Sequence, residues 1–239
     1  MNKQYPKTPE NTCIFAIGDV HGRLDLLEQM LKKIRLEAKK CPQPRKILVM
    51  LGDYVDRGPD SRGVLDRLVD LQNGKILKGF EVHLLKGNHE EAMLSFLAKK
   101  DPTTWLSNGG AQTVSSYDLD PKQSLKVLRP AFLKALPKPH RKVLRALKFG
   151  MVLGDYGFVH AGVRPGVAWA DQDPDDLLWI RADFLNFKQD HEHMIVHGHS
   201  PAPAPVELPN RIGIDTKAWE TGTLTCLVLQ GLDRRFLST

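Results

Sequence analysis

Three times within the first hundred residues, a short apolar run gives way to a polar loop and then to apolar positions spaced three or four apart. The run "CIFAI" at 13–17 precedes Leu24, Leu27, Leu31 and Ile34. "KILVML" at 46–51 precedes Val64, Leu65, Leu68 and Leu71, and "FEVHLL" at 80–85 precedes Met93, Phe96 and Leu97. Continuous apolar runs of this length suit buried strands, and the wider spacing suits helices with one apolar face. Asp60 or Ser61 is placed to cap the second helix. Strands crossed repeatedly by helices imply an α/β fold with a largely parallel sheet, in which the loops leaving the strand ends gather on one rim.

The second half is less regular. "LKFGMVLGDYGFVHAG" at 147–162 reads as a hairpin turning at Gly154-Asp155. "HMIVHGHS" at 193–200 reads as a short strand ending in histidines, and "RIGIDTKAWETGTLTCLVLQ" at 211–230 as two closing antiparallel strands. Residues 100–148 read as mainly helical, broken by Pro102, Pro121, Pro130, Pro137 and Pro139. Neither a composition shift nor a Gly/Ser-rich linker divides the chain. The expected organisation is therefore a polar tail over 1–12 and one catalytic domain over 13–239.

Composition adds two points. Lys and Arg number 34 against 28 Asp and Glu in 239 residues, but residues 121–154 hold nine basic residues and no acid. These are Lys122, Lys126, Arg129, Lys134, Lys138, Arg141, Lys142, Arg145 and Lys148, interleaved with leucines at helical spacing. Such a segment is either a solvated helical face or an electropositive flank for anionic partners. The three cysteines, Cys13, Cys41 and Cys226, have unrelated spacings and read as free thiols without a catalytic role. No apolar stretch is long enough for a membrane span, and the first residues lack the apolar core of a signal peptide, so the expected compartment is the cytoplasm.

The loops at the strand ends carry Asp19 and His21, Asp53 with Asp56 and Arg57, Asn88 with His89, then His160, then His197 and His199. A lone Asp or His at a strand end is usually a cap or a hydrogen-bonded structural residue. Five such coincidences on one rim would bury carboxylates and imidazoles together at high cost unless divalent cations neutralised them. The ligand types suggest two ions: Asp19, His21 and Asp53 around the first, and a bridging Asp53 with Asn88, His160 and His199 around the second. Carboxylate, imidazole and amide donors without thiolate suit manganese, with iron or zinc possible. Asn88 adds a neutral oxygen, which keeps the site from repelling a phosphate dianion.

The segments "GDVHG", "GDYVDRG" and "GNHE" resemble the three signature motifs of the PPP-type serine/threonine phosphatases among the calcineurin-like metallophosphoesterases. "FVHAG", "LLWIR", "HGHSP" and "IDTKA" resemble later family elements, and "WLSNGG" is similar to a segment of the bacterial and phage branch. The resemblance implies an αββα sandwich of two mixed β-sheets flanked by helices. It also implies a two-metal centre and phosphomonoester hydrolysis by direct attack of a hydroxide held between the ions. It casts His89 as proton donor, Asp56 as the carboxylate orienting it, and Arg57 and Arg181 as phosphate ligands alongside Asn88. Planar guanidinium groups suit that last task because they donate in pairs.

Two positions depart from the family pattern. Lys217 stands where the family commonly has glycine, and Ser200 where it has threonine. Lys217 is expected either to extend into solvent or to add a cation near the cleft, and His197 to be structural. The first-choice activity is dephosphorylation of phosphoserine and phosphothreonine in proteins, with phosphorylated proteins or small phosphoesters as partners and neither membrane nor nucleic acid expected. Symmetrical hydrolysis of dinucleoside polyphosphates is the nearest alternative, and a nucleic-acid-binding protein with a vestigial metal centre is a distant one.

Overall fold

The structure, a computed structural model, describes residues 5–100 and 104–239, so the expected break at Pro102 lies outside the described residues. The three predicted strand–helix units are present: β1 (Thr12–Ile17) and α1 (Leu24–Ala38), β2 (Arg45–Met50) and α2 (Ser61–Gln72), β3 (Phe80–Leu84) and α3 (Asn88–Leu97). Asp60 caps α2, its Oδ1 accepting from the Gly63 N–H at 2.7 Å. Strands β1, β2 and β3 pair in parallel, so the loops after them open on one rim.

The chain continues through α4 (Ala111–Ser116), α5 (Leu125–Ala135) and α6 (Lys138–Ala146). It then forms the hairpin β4 (Gly150–Leu153) and β5 (Tyr156–Val159), followed by α7 (Pro174–Trp179), α8 (Ala182–Leu185) and β6 (Met194–His197). It ends in β7 (Val206–Leu208), β8 (Arg211–Gly213), α9 (Ala218–Thr221), β9 (Thr225–Gln230) and β10 (Asp233–Ser238). One sheet runs β10-β9-β1-β2-β3 and the other β4-β5-β6-β8-β7. Both contain parallel and antiparallel neighbours, and helices cover their outer faces. The architecture is the expected αββα sandwich. Among the described residues no helix is long and apolar enough to cross a membrane.

The pleat decides which residues meet. Along β1, Cys13, Phe15 and Ile17 face the helical layer of α1 and α2, while Ile14 and Ala16 face the second sheet. With Ile47, Val49, Leu227 and Leu229 they pack against Tyr156, Phe158, Val196 and Ile212. The strands therefore read as unbroken apolar runs because both faces are buried.

Several details differ from the sequence-based expectation. The two closing strands do not pair with each other: β8 joins β6 and β7 in the second sheet, and β9 joins β1 and β10 in the first. The helix α9 and the loops around it carry the chain between the layers. Pro130 lies inside α5 rather than ending it. It and Lys126, whose carbonyl loses its helical donor, are both exposed, so water can satisfy that oxygen. The polar N-terminal segment is anchored: Lys7 N–H donates to Asp155 Oδ2 at 2.9 Å, and Thr8 N–H to the Gly231 carbonyl at 3.1 Å.

In the basic segment, Leu128, Phe132, Leu136, Val143 and Leu144 are buried while Lys138, Lys142 and Arg145 are exposed. His140 fastens α6 from within, bonding Tyr117 Oη at 2.7 Å and Asp66 Oδ1 at 2.8 Å.

Phe158 is fully buried between the sheets. Phe158→Ala should lower the free energy of unfolding by about 3–5 kcal/mol in urea titration, the cost of an unfilled aromatic cavity. A loss below about 1 kcal/mol would mean that the layers are not held by this contact.

Candidate metal centre

The loop after β2 takes its shape from a residue that the sequence reading left without a role. Glu90, fully buried in the first turn of α3, accepts four backbone N–H bonds: Asp53 and Gly87 at 2.9 Å on Oε2, and Tyr54 at 2.8 Å and Val55 at 3.1 Å on Oε1. Around this anchor Asp53, Asp56 and Arg57 adopt left-handed backbone conformations, with φ of 50°, 75° and 67°. His21 (45°) and His199 (61°) do the same on neighbouring loops. Left-handed non-glycine residues are costly, and their concentration on one rim marks loops whose shape is imposed by tertiary contacts. Gly87 is required by proximity, because a Cβ there would collide with the Asp53 backbone nitrogen and carboxylate.

Two groups of donor atoms form, each with its members within 4.8 Å of one another, and Asp53 belongs to both. The first holds His21, Asp53 and His89; the second holds Asp53, His160 and His199. Asn88 joins the second group, with Oδ1 2.9 Å from both His160 Nε2 and His199 Nδ1. Asp19 stands outside both groups and accepts instead from the His199 backbone N–H at 3.0 and 3.3 Å. His89, expected to be free for proton chemistry, is itself a member of the first group, its Nε2 4.0 Å from Asp53 Oδ2.

The chemistry of these donors fits divalent cations. His21 Nδ1 donates to the Val55 carbonyl at 2.9 Å and His160 Nδ1 to the Leu51 carbonyl at 3.0 Å, which leaves each Nε2 as a lone-pair donor facing the site. His160 Nε2 then faces two further acceptors, Asn88 Oδ1 and, at 3.4 Å, Asp53 Oδ1. Burial, with smaller effects from neighbouring charges, lowers the pKa of His21 to about 3 and of His199 to about 2, so the imidazoles are neutral. Among the described residues His199 Nε2 is buried without a hydrogen-bond partner. Burial, reinforced by Asp215 and Asp53, pushes the Asp19 carboxyl well above its usual range. Converging lone pairs and mutually repelling carboxylates are what bound cations would reconcile.

Asp56, fully buried, is gripped on both oxygens. Trp105 Nε1 donates to Oδ2 at 2.8 Å and Thr113 Oγ1 to Oδ1 at 2.6 Å, while His89 Nδ1 lies 2.7 Å from Oδ2. Burial works against a charged His89, but Asp53 and Asp56 outweigh it and its pKa is raised. The segment "WLSNGG" therefore buttresses the site. Gly109, at φ 102°, accepts from Arg57 N–H at 3.1 Å, and a Cβ there would press into the Arg57 side chain.

Arg57 Nη1 reaches His21 Nε2 at 3.0 Å and its guanidinium sits 5.5 Å from the Trp219 ring. Arg181, exposed at the start of α8, is near enough for its charge to lower the pKa of His160 and His199 alongside their burial. Lys217 adopts φ 55°, a region in which glycine is unstrained, and its ammonium pairs with Glu220 at 2.6 Å and lies 5.5 Å from Trp219. His197 is buried against Phe184 and accepts from Arg211 at 3.1 Å, a structural arrangement.

Glu90, Trp105, Thr113, Asp215 and Trp219 were not read from the sequence as parts of this site. For Trp105 the signal lay in "WLSNGG", and for Asp215 in "IDTKA", where only the unusual Lys217 drew notice. Asp215 is buried, with a pKa raised to about 6 chiefly by that burial.

Comparison with known proteins bears on the fold and the family. The sequence profile of the calcineurin-like phosphoesterases matches residues 14–221. Serine/threonine-protein phosphatase 1 of Salmonella typhimurium is 35% identical over 97 residues, 41% of this chain and 38% of that protein, so the match spans well under half of that relative. The asymmetrical bis(5'-nucleosyl)-tetraphosphatase PrpE of Anoxybacillus flavithermus is 27% identical over 226 residues, 88% of each chain. Among solved structures, one assigned as a diadenosine tetraphosphatase superposes with a TM-score of 0.66 at 21% identity and covers 98% of both chains, a likeness of fold.

Trp105→Phe keeps the ring that packs on Phe96 and Phe132 and removes only the N–H to Asp56. It should reduce turnover roughly tenfold with bound metal unchanged, in line with the loss of one hydrogen bond to a charged group. Turnover within twofold of the parent would mean that Thr113 alone suffices to hold Asp56.

Proposed function

The chain belongs to the calcineurin-like phosphoesterases, metal-dependent hydrolases of phosphoesters, and on that basis we propose that it removes phosphate from phosphomonoesters, foremost phosphoserine and phosphothreonine in proteins. Asp19, His21 and Asp53 are assigned to one divalent ion and Asp53, Asn88, His160 and His199 to a second, manganese being the first candidate. When bound, such ions supply activated water and neutralise phosphoryl charge. Arg57 and Arg181 are assigned to the remaining phosphoryl oxygens. His89 gives its proton to the departing oxygen, and Asp56 holds the imidazole in the orientation for that transfer.

The observation that carries the choice of substrate is the grip on Asp56. A serine alkoxide is a poor leaving group and needs a proton, whereas a nucleotide phosphate leaving from an anhydride is already a stable anion. An acid whose orienting carboxylate is itself held by two further side-chain donors, Trp105 and Thr113, suits the first case. Hydrolysis of dinucleoside tetraphosphates remains the second reading, supported by the tetraphosphatase PrpE, which matches along 88% of both chains, whereas the phosphatase matches over 38% of its own length. The name of the PrpE relative specifies asymmetrical cleavage, whereas the alternative drawn from the sequence is symmetrical cleavage. A nucleic-acid-binding role with an idle centre is not adopted, because His21, Asp53, Asn88, His160 and His199 lie together, with only Asp19 of the assigned donors standing apart.

Chelation should abolish turnover and added manganese should restore it, with Asp53→Asn among the most damaging single changes because Asp53 lies in both donor groups. Undiminished turnover of Asp53→Asn would remove the two-ion assignment.

The substrate choice is tested by assaying a phosphoserine peptide, p-nitrophenyl phosphate and diadenosine tetraphosphate side by side. The peptide should give the higher kcat/KM of the two biological substrates. His89→Asn should lose roughly 10²-fold or more on the peptide and far less on the activated aryl ester. Preference for diadenosine tetraphosphate, with equal losses on all three in His89→Asn, would favour the second reading.

A further inference from the structure

At the strand ends away from the metal centre, two thiols that are distant in sequence touch. Cys13, second residue of β1, and Cys41, in the loop from α1 to β2, are both buried, with their sulfurs 3.0 Å apart. The Arg235 guanidinium on β10 donates to Cys41 Sγ at 3.4 Å, while its Nε bonds Glu37 at 2.9 Å. Cys41 also lines an open cavity of about 680 Å³ whose charged lining is entirely cationic: Arg35, Lys39, Lys46, Lys75 and Lys78. Among the described residues only Lys75 of these five is ion-paired, with Asp70 at 3.1 Å. Leu77 and Phe80 supply an apolar floor.

We propose that Cys13 and Cys41 form a redox-active dithiol, oxidised to an intramolecular disulfide by small anionic disulfides that enter this cationic cavity. The cavity volume accommodates a molecule of peptide size, and its charge concentrates anions at the one sulfur that meets it. Cys41, as thiolate, attacks one sulfur of the reagent; the reagent's S–S bond breaks, a mixed disulfide forms and the first thiol leaves. The Cys13 sulfur then attacks Cys41, releasing the second thiol, which carries away the Cys13 proton. Two protein thiols are oxidised and one disulfide is reduced to two thiols. Burial, together with Cys41, holds the Cys13 thiol far above its usual pKa, which fits it to the second, intramolecular step rather than to first attack. Cys226, the third thiol, is fully buried and turned toward the Leu227 carbonyl, so it takes no part.

The test treats the reduced, folded protein with glutathione disulfide, a net dianion near neutral pH, and with cystamine, a dication, followed by alkylation and peptide mapping. The expected product has lost two hydrogens, with Cys13 linked to Cys41 and Cys226 still alkylated after denaturation. Cys13→Ala should stop at a mixed disulfide on Cys41, and Cys41→Ala should not react. Glutathione disulfide should react roughly tenfold faster than cystamine at low ionic strength, a gap that salt should narrow. Lys39→Glu with Lys78→Glu should erase that preference without altering the linkage. A folded protein that resists oxidation while the unfolded chain reacts, or a linkage through Cys226, would overturn the dithiol. Equal rates for the two reagents at low salt would overturn the role of the cavity.

Discussion

The candidate site depends on one buried carboxylate. Glu90 sits beneath the loop after β2 and gathers the N–H groups of Asp53, Tyr54, Val55 and Gly87. Hydrogen bonds to a charged acceptor are worth more than neutral ones, and here they are shielded from water. They offset the strain of the three left-handed non-glycine residues in that loop, Asp53, Asp56 and Arg57, each costing on the order of 1–3 kcal/mol. Without that anchor the loop would relax, and Asp53, Asp56 and Arg57 would no longer be presented to the rim. Burial also raises the Glu90 pKa to about 7, with Asp53 adding to the effect. The loop thus rests on a group whose charge is itself sensitive to the balance of nearby charges.

The second constraint is the packing of the two sheets. Asp53 and Asn88 hang from the first sheet, while His160 and His199 follow β5 and β6 of the second. They meet only because Ile14, Ala16, Ile47 and Val49 interdigitate with Phe158, Val196 and Ile212 below them. The centre straddles the layer boundary, so its geometry inherits the rigidity of a close-packed core. This arrangement explains how four neutral or charged donors from distant segments are held within a few ångströms with no ordering cost left for the moment of binding.

Around the donors lies a supporting ring from the segment after α3. Trp105, Thr113 and Gly109 fix Asp56 and Arg57, so the same stretch controls the orientation of the His89 imidazole and the position of the Arg57 guanidinium. Trp219 lies beside both Arg57 and Lys217, so one aromatic ring contacts two cations. Phosphoester hydrolysis is common to the family.

Local sequence determined the strand–helix units, because apolar periodicity and the Asp60 cap act within a few residues of one another. It also determined that the polar ends of those units share a rim, since parallel strands leave their loops on one side. The tertiary structure decided what no local pattern encodes. The strands β8 and β9, adjacent in sequence, went to different sheets because each completes a different apolar face. Pro130 remained inside a helix because the Lys126 carbonyl it leaves without a donor belongs to an exposed residue. Glu90 became the anchor of another loop, although a glutamate three residues into a helix reads as an ordinary capping residue. Asp19 fell outside the donor groups and His89 inside one, because side-chain direction at a strained turn is set by its neighbours. The contact between Cys13 and Cys41 likewise exists only once α1 has folded back over β1. Sequence patterns report the chemistry of each segment, whereas contacts between segments depend on which faces the completed core brings together.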